Sequence, residues 1–172
     1  PVTNLWLVNG DEFLGRIVTA ERLSEMLHAD APNVRLAERL ALRLREVAVD
    51  PIISLLEDEE ERLHGWACDT LVRLAEFSGP RVVERLMDAP VHAQRQMLHI
   101  IDRLGEWPAG FSPEPFTASP DAGVRREAVK LMLRRDEMRD SGIVAGLDDQ
   151  DERTIGIALA AGGLAVLRGL AL

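Results

Sequence analysis

Four histidines, His28, His64, His92 and His99, are the first residues that could do chemistry, since an imidazole can ligate a metal or carry a proton near neutral pH. Glu61 and His64 stand at i,i+3, the spacing of carboxylate-bridged di-iron centres, but such a centre needs the motif twice. Thirty residues on, the same positions hold Val91 and Gln94, so the second half is missing. Ordinary surface or partly buried histidines are the expectation, with no metal and no other cofactor. The single cysteine, Cys68, falls in an apolar helical pattern and reads as a buried, inert thiol. It allows no internal disulfide and fits a reducing compartment, so a cytoplasmic location is expected.

Charge is arranged more tellingly than the histidines. Arg43, Arg73, Arg103 and Arg134 recur at spacings of thirty or thirty-one residues, with Glu46, Glu76, Glu106 and Glu137 three residues after each. Structurally this reads as ion pairing within and between repeats near helix C-termini, where cations also meet the helix dipole favourably. Functionally it reads as a strip that grips an acidic or carboxylate-bearing ligand, which makes these four arginines the candidate partner-binding residues. The densest acidic run, Glu57-Asp58-Glu59-Glu60-Glu61, reads as a solvated helix start or as a docking patch for a basic partner. A calcium loop would need a glycine turn among alternating oxygen ligands, and the run has none. No Gly-rich phosphate loop, paired catalytic carboxylates or Ser/His/Asp arrangement emerges, and no catalytic residue is assigned.

The elements that carry these residues follow from composition and period. The 172-residue chain is 47% hydrophobic and 28% charged, with only 4% aromatics and no tyrosine, so its core is built from Leu, Ile, Val, Ala and Met. With Ala, Leu, Arg and Glu abundant, the expectation is an all-α protein. A formal net charge of −9, with Lys130 the only lysine, argues against a nucleic-acid partner. The stretch 154–172 carries only Arg168 as a charge, but its glycines and alanines favour a packed terminal helix over a membrane span. The chain opens at Pro1 with no charged-then-apolar leader, which points to a piece of a longer protein without a secretory signal.

Two further columns run in phase with the arginines. Ile52-Ile53-Ser54-Leu55-Leu56-Glu57-Asp58 is matched by Val82-Val83-Glu84-Arg85-Leu86-Met87-Asp88 and, after one gap, by Ile143-Val144-Ala145-Gly146-Leu147-Asp148-Asp149. The gap falls near 112–118, where Phe116 keeps the apolar position but Pro113 and Pro115 must shorten or break the helix. A third column holds Ala37, Ala67, Met97, Ala128 and Ala158, and a small residue recurring there marks the expected point of closest helix contact. The unit is thus a short helix, an acidic turn and a longer helix. The longer helices are expected near 33–47, 60–77, 91–105, 122–137 and 153–170, and the shorter ones near 19–28, 51–57, 80–88 and 142–148. Thr19 reads as an N-cap, Pro51 as a first helical residue, and Ser78-Gly79-Pro80 and Gly105 as stops. Leu56, Leu86, Ala128, Leu131 and Leu147 are the expected core. Residues 1–18 fit least well, as an Asn-Gly hairpin or as a degenerate helical segment capping the array.

The run Ser119-Pro120-Asp121-Ala122-Gly123-Val124-Arg125-Arg126-Glu127-Ala128-Val129-Lys130-Leu131 resembles the turn and second helix of bacterial HEAT repeats, and Leu147 to Arg153 looks like the run-in to another. The Val-Arg pair of that pattern is clean only at Val124-Arg125; its equivalents His64, Gln94 and Ile155 depart from it. The resemblance implies that residues 19–172 form a HEAT/armadillo-like solenoid, a right-handed α-α superhelix of about five helical-hairpin units, the fourth irregular. It further implies a non-enzymatic scaffold or adaptor of bacterial cytoplasm that binds a protein or peptide. The alternative within HEAT-like arrays is a helper of enzyme type similar to phycobilin lyases. A third kind, the DNA-alkylation-repeat glycosylases, needs a cationic face that −9 does not supply. Helical-repeat hydroxylases use recurring His-Glu dipeptides, and none is present. The apolar last helix is expected to self-associate through residues 154–172.

Overall fold

Thr19 begins the described chain by capping a helix: extended at φ −81°, ψ 166°, its hydroxyl accepts the Arg22 amide. Asn33 and Asp121 do the same for Leu36 and Val124, which starts the helices where the sequence places them. The computed structural model describes residues 19–29, 32–59 and 61–169, with side chains through residue 163. The head, 1–18, and the last residues, 170–172, lie outside the described residues.

All regular structure among the described residues is helical. The helices are α1 (Ala20–Leu27), α2 (Val34–Leu44), α3 (Glu46–Glu57), α4 (His64–Arg73), α5 (Ala75–Leu86), α6 (Val91–Leu104), α7 (Ala122–Leu133), α8 (Arg139–Leu147) and α9 (Glu152–Gly169). Short 3₁₀ turns lie at Glu61–Leu63, Glu114–Ala118 and Asp136–Met138. The five-residue turn at Glu114–Ala118 stands where the two prolines foretold a broken helix, and Phe116 is still buried within it. No described helix is long and apolar enough to cross a membrane.

The chain falls into two compact units that divide between Pro108 and Ala109. In the first, α1, α3 and α5 pack side by side in one row, and α2, α4 and α6 form a second row against them. In the second, α7 packs on the Glu114–Ala118 turn, on α8 and on α9, and α8 packs on α9. The small-residue column lies at the centre of both: Ala37, Ala67 and Met97 in the first unit, and Ala128 and Ala158 in the second, are fully buried. Around it Ile52, Leu56, Leu86, Ile101 and Leu131 are at most 1% exposed, each contributing roughly 1.5–3 kcal/mol by burial.

The helix boundaries correct the sequence reading in one consistent way. The longer helices end sooner than expected, at Leu44, Arg73 and Leu133; the next helix follows after one residue in the first two cases and after the 3₁₀ turn Asp136–Met138 in the third. Arg45 makes the first break by taking φ 50°, ψ −115°, a left-handed turn without glycine. Leu74 makes the second, and Ser78, fully buried one turn into α5, donates to the Leu71 carbonyl at 2.6 Å, satisfying an acceptor at the end of α4. Ser78-Gly79-Pro80 is therefore not a stop but lies inside α5, and Pro51 lies inside α3 instead of opening it. Each proline leaves one carbonyl, of Val47 or of Glu76, without its usual donor; both residues are exposed, so water can bond it. Gly105, by contrast, ends α6 as expected, at φ +80°.

Leu147 is the one expected core residue found outside, 45% exposed. Helix α8 buries only Gly142 and Gly146. A Cβ on Gly142 would lie 2.8 Å from the Met132 Cβ, so α8 sits backbone-close on α7, and its aliphatic side chains turn to other faces.

Candidate interaction surface

The position of Arg125 has a common task that its residue types conceal. Arg125 donates from Nη1 to the Ser119 carbonyl at 3.0 Å, His64 from Nε2 to the Asp58 carbonyl at 3.1 Å, and Gln94 from Nε2 to the Met87 carbonyl at 3.4 Å. Each reaches back six or seven residues to tie its helix to the preceding turn. The substitution of His and Gln for Arg thus keeps the local bond. Only Arg125 also reaches forward, with two 2.9 Å bonds from Nε and Nη2 to the two oxygens of Asp149 in the turn before α9. Ile155 has no polar group for either bond.

The second unit is closed by that pair and its neighbour. Asp149 is 3% exposed and also accepts the Asp151 amide; the Arg125 guanidinium holds its carboxyl below the usual carboxylate range. Arg126 binds Asp151 at 2.7 and 3.1 Å, and Asp151 accepts both the amide and hydroxyl of Thr154, so it caps α9. These bonds, that from Arg126 first, bring the Asp151 pKa down to about 2.

The acidic run is half absorbed by bonds between neighbouring repeats. Arg85 grips Glu57 with two bonds, from Nε at 3.0 Å and from Nη2 at 2.5 Å. His28 spans thirty residues to Asp58, 2.9 Å from Nε2 to the carboxylate, while its Nδ1 lies 2.8 Å from the Ser24 carbonyl. Both nitrogens face acceptors, so the two bonds form together only with the imidazolium. His92 donates to the Glu57 carbonyl at 3.1 Å, and its ring stacks on His64 with centroids 6.2 Å apart. Three histidines thus gather at the C-terminal end of α3, where hydrogen-bond donors meet unsatisfied carbonyls. Their bonds link neighbouring helices; among the described residues no group of three or more His, Cys, Asp or Glu could hold a metal ion. Glu59 and Glu61 stay exposed.

The arginine column is exposed along its length, at Arg43, Arg73, Arg103 and Arg134. Arg73 pairs with Glu38, and Arg103 with Asp69 at 2.6 Å, each on the preceding helix of the same row. The glutamates three residues on, Glu46 and Glu76, stand across the helix break in the first turn of the next helix, where the positive dipole end favours them. At Arg73 and Arg103 the pairing runs between neighbouring helices of a row and not along i,i+3. The acids that do pair, Glu38 and Asp69, were not singled out by period because their types and spacing differ. Cys68 is buried, its Sγ 3.6 Å from Gln96 Oε1, and burial pushes its pKa up to about 11, as befits an unreactive thiol.

Two surfaces remain, of which the sequence marked only the part on α9. In the second unit α8 exposes Val144 at 67% and Leu147 at 45%, and α9 exposes Leu159 at 59%. In the first unit a groove of about 340 Å³ opens where the start of α5 meets the end of α6, lined by Pro80, Leu104, Trp107 and Pro108 together with the exposed Glu76 and Glu106. Gly79 sets its depth: a Cβ there would lie 3.2 Å from Pro108 Cγ.

No protein-family model matches the chain, and no curated protein or solved structure matches it.

Proposed function

We propose that the chain is a protein-interaction scaffold that acts without catalysis, a HEAT-like array whose helical pairs continue one another as a right-handed superhelix. The observation that carries this reading is the inverted face of α8: glycines pack inward, and Val144 and Leu147 stand in solvent. A helix that turns its aliphatic side chains outward gains from burying them against a second surface, since each apolar side chain withdrawn from water contributes on the order of 1.5–3 kcal/mol. Leu159 on the adjoining α9 extends the supply of exposed apolar area in the same unit. The partner is a protein surface, and a second copy of this chain is one such surface. The expected self-association through 154–172 rests on side chains of which Leu164, Val166 and Leu167 lie outside those described. Of its described apolar residues, Ile155 and Ile157 are half-buried and Leu159 is exposed. The test compares the native chain with Val144→Glu/Leu147→Glu, first in sedimentation at tens of micromolar and then as bait in lysate. Mass above the monomer, or a captured protein, that the double variant loses while keeping its melting temperature supports the reading. Identical mass and identical capture by both forms would overturn it.

A further inference from the structure

We infer that the groove at Trp107 is a binding site for an arginine side chain presented by a partner peptide. The inference begins inside the protein. Arg81 of α5 is held by a 2.9 Å bond to Glu84, which raises its pKa, and the charges of Asp50 and, least, of Glu46 in the first turn of α3 act in the same direction. Glu76 occupies the equivalent place in the first turn of α5, thirty residues later. No arginine follows in phase, for thirty residues after Arg81 the sequence carries Phe111. After Gly105 turns the chain, Trp107 and Pro108 join Pro80 and Leu104 in lining a groove beside Glu76.

Its chemistry is that of an arginine receptor. Pro80, Leu104 and Pro108 offer an apolar bed for the three methylenes of the side chain, and Trp107 offers an indole for the planar guanidinium. Glu76 and Glu106 are exposed and have no hydrogen bond or ion pair among the described residues, in contrast to Glu57, which Arg85 holds within the chain. The volume of about 340 Å³ lies at the small end of ligand sites and suits one long side chain. The net charge of −9 adds long-range attraction for a basic segment. Arginine is favoured over lysine because its flat, weakly hydrated head can lie against the indole while donating to both sides.

The inference rests on the interaction-scaffold reading for the ligand being a peptide, but it uses a different surface from α8. The probe is a fluorescein-labelled ten-residue peptide with two arginines among glycine and proline, set against the same peptide with citrulline in their place. Anisotropy titrations with the full chain should saturate with the arginine peptide and not with the citrulline peptide. Glu76→Gln/Glu106→Gln should weaken binding about tenfold or more, as loss of charge-assisted bonds implies. Trp107→Ala should weaken it as well, while Glu59→Gln/Glu61→Gln in the acidic run should leave it unchanged. The isosteric Gln variants keep the fold, which an unchanged melting temperature verifies. Equal loss with the Glu59/Glu61 variant would reveal diffuse attraction to an acidic protein and overturn the site, as would the absence of saturable binding or indifference to Glu76 and Glu106. Val144→Glu/Leu147→Glu should not alter the titration, so failure of the groove and failure of the α8 surface are read separately.

Discussion

Gly146 of α8 faces Ala158 of α9 so closely that a Cβ on the glycine would lie 2.7 Å from the Ala158 Cβ. The alanine Cβ moves only with its helix, and Val129 Cγ1 would stand a further close 3.1 Å away. Gly146→Ala should therefore destabilise the second unit by about 1–3 kcal/mol, overpacking outweighing the gain in helix propensity. Gly156→Ala, on an exposed stretch of α9 with nothing within 4 Å, should stabilise by about 0.5–1 kcal/mol. Urea titrations of the two variants should shift in opposite directions. A shift to higher stability in both would place α8 farther from α9 than described.

Leu131 and Leu147 are both apolar and both in phase, yet only the first is buried, at 1% against 45% exposed. Leu131→Ala should cost about 2–5 kcal/mol, while Leu147→Ala should change stability by less than about 0.5 kcal/mol. Comparable losses from the two substitutions in denaturant unfolding would contradict the described orientation of α8.

Arg125 cannot be replaced by lysine without loss, because its guanidinium serves Asp149 twice while its Nη1 also donates to Ser119. Arg125→Lys is expected to destabilise by about 2–3 kcal/mol, and Asp149→Asn by a similar amount, since each leaves the other's buried polar group partly unsatisfied. The double variant should cost less than the sum of the singles. A double-mutant cycle that sums without coupling would show that the pair is not a unit.

Acid should attack the second unit through the same carboxylates. Asp151 is held down to about 2 and Asp149 is also lowered, so both bind protons less readily when folded than the ordinary value of 3.8 implies. Groups depressed in this way stabilise the fold fully above pH 4 and lose that contribution as pH falls from about 4 towards 2. In Asp151→Asn the acid loss should be shallower, measured by helical circular dichroism between pH 5 and 2. An unchanged acid profile would remove Asp151 from the account.

Cys68 should resist alkylation. With its thiol pushed up to about 11 and buried, the thiolate population at pH 8 is far below that of a free cysteine. Iodoacetamide at pH 8 should label the native chain much more slowly than the urea-unfolded chain, as mass spectrometry would record. Equal rates would mean that α4 opens readily.

The periodic sequence by itself determined the helical class and a column of buried positions. Ala37, Ala67, Met97, Ala128 and Ala158 can be read as one column because close helix packing constrains side-chain size at a fixed spacing, a property of residue type. Caps such as Thr19 and Asp121 were legible for the same reason: a side-chain oxygen meets an amide three residues away. Tertiary structure alone decided where the helices break, for Arg45 is exposed, carries no turn signal and yet adopts φ 50°. It likewise decided that Pro51 and Pro80 sit inside helices, since helical propensity is weak beside the burial of an apolar face. The partners of the arginine column, Glu38 and Asp69, lie 35 and 34 residues before Arg73 and Arg103, and such a pair exists only once the rows of helices are stacked. Leu147 was misread because period assigns a face to every helix alike, whereas α8 docks through Gly142 and Gly146, whose missing side chains let the backbones meet. The Trp107 groove was invisible for a related reason: its walls come from two helices and a loop, and their convergence depends on packing that no local pattern encodes.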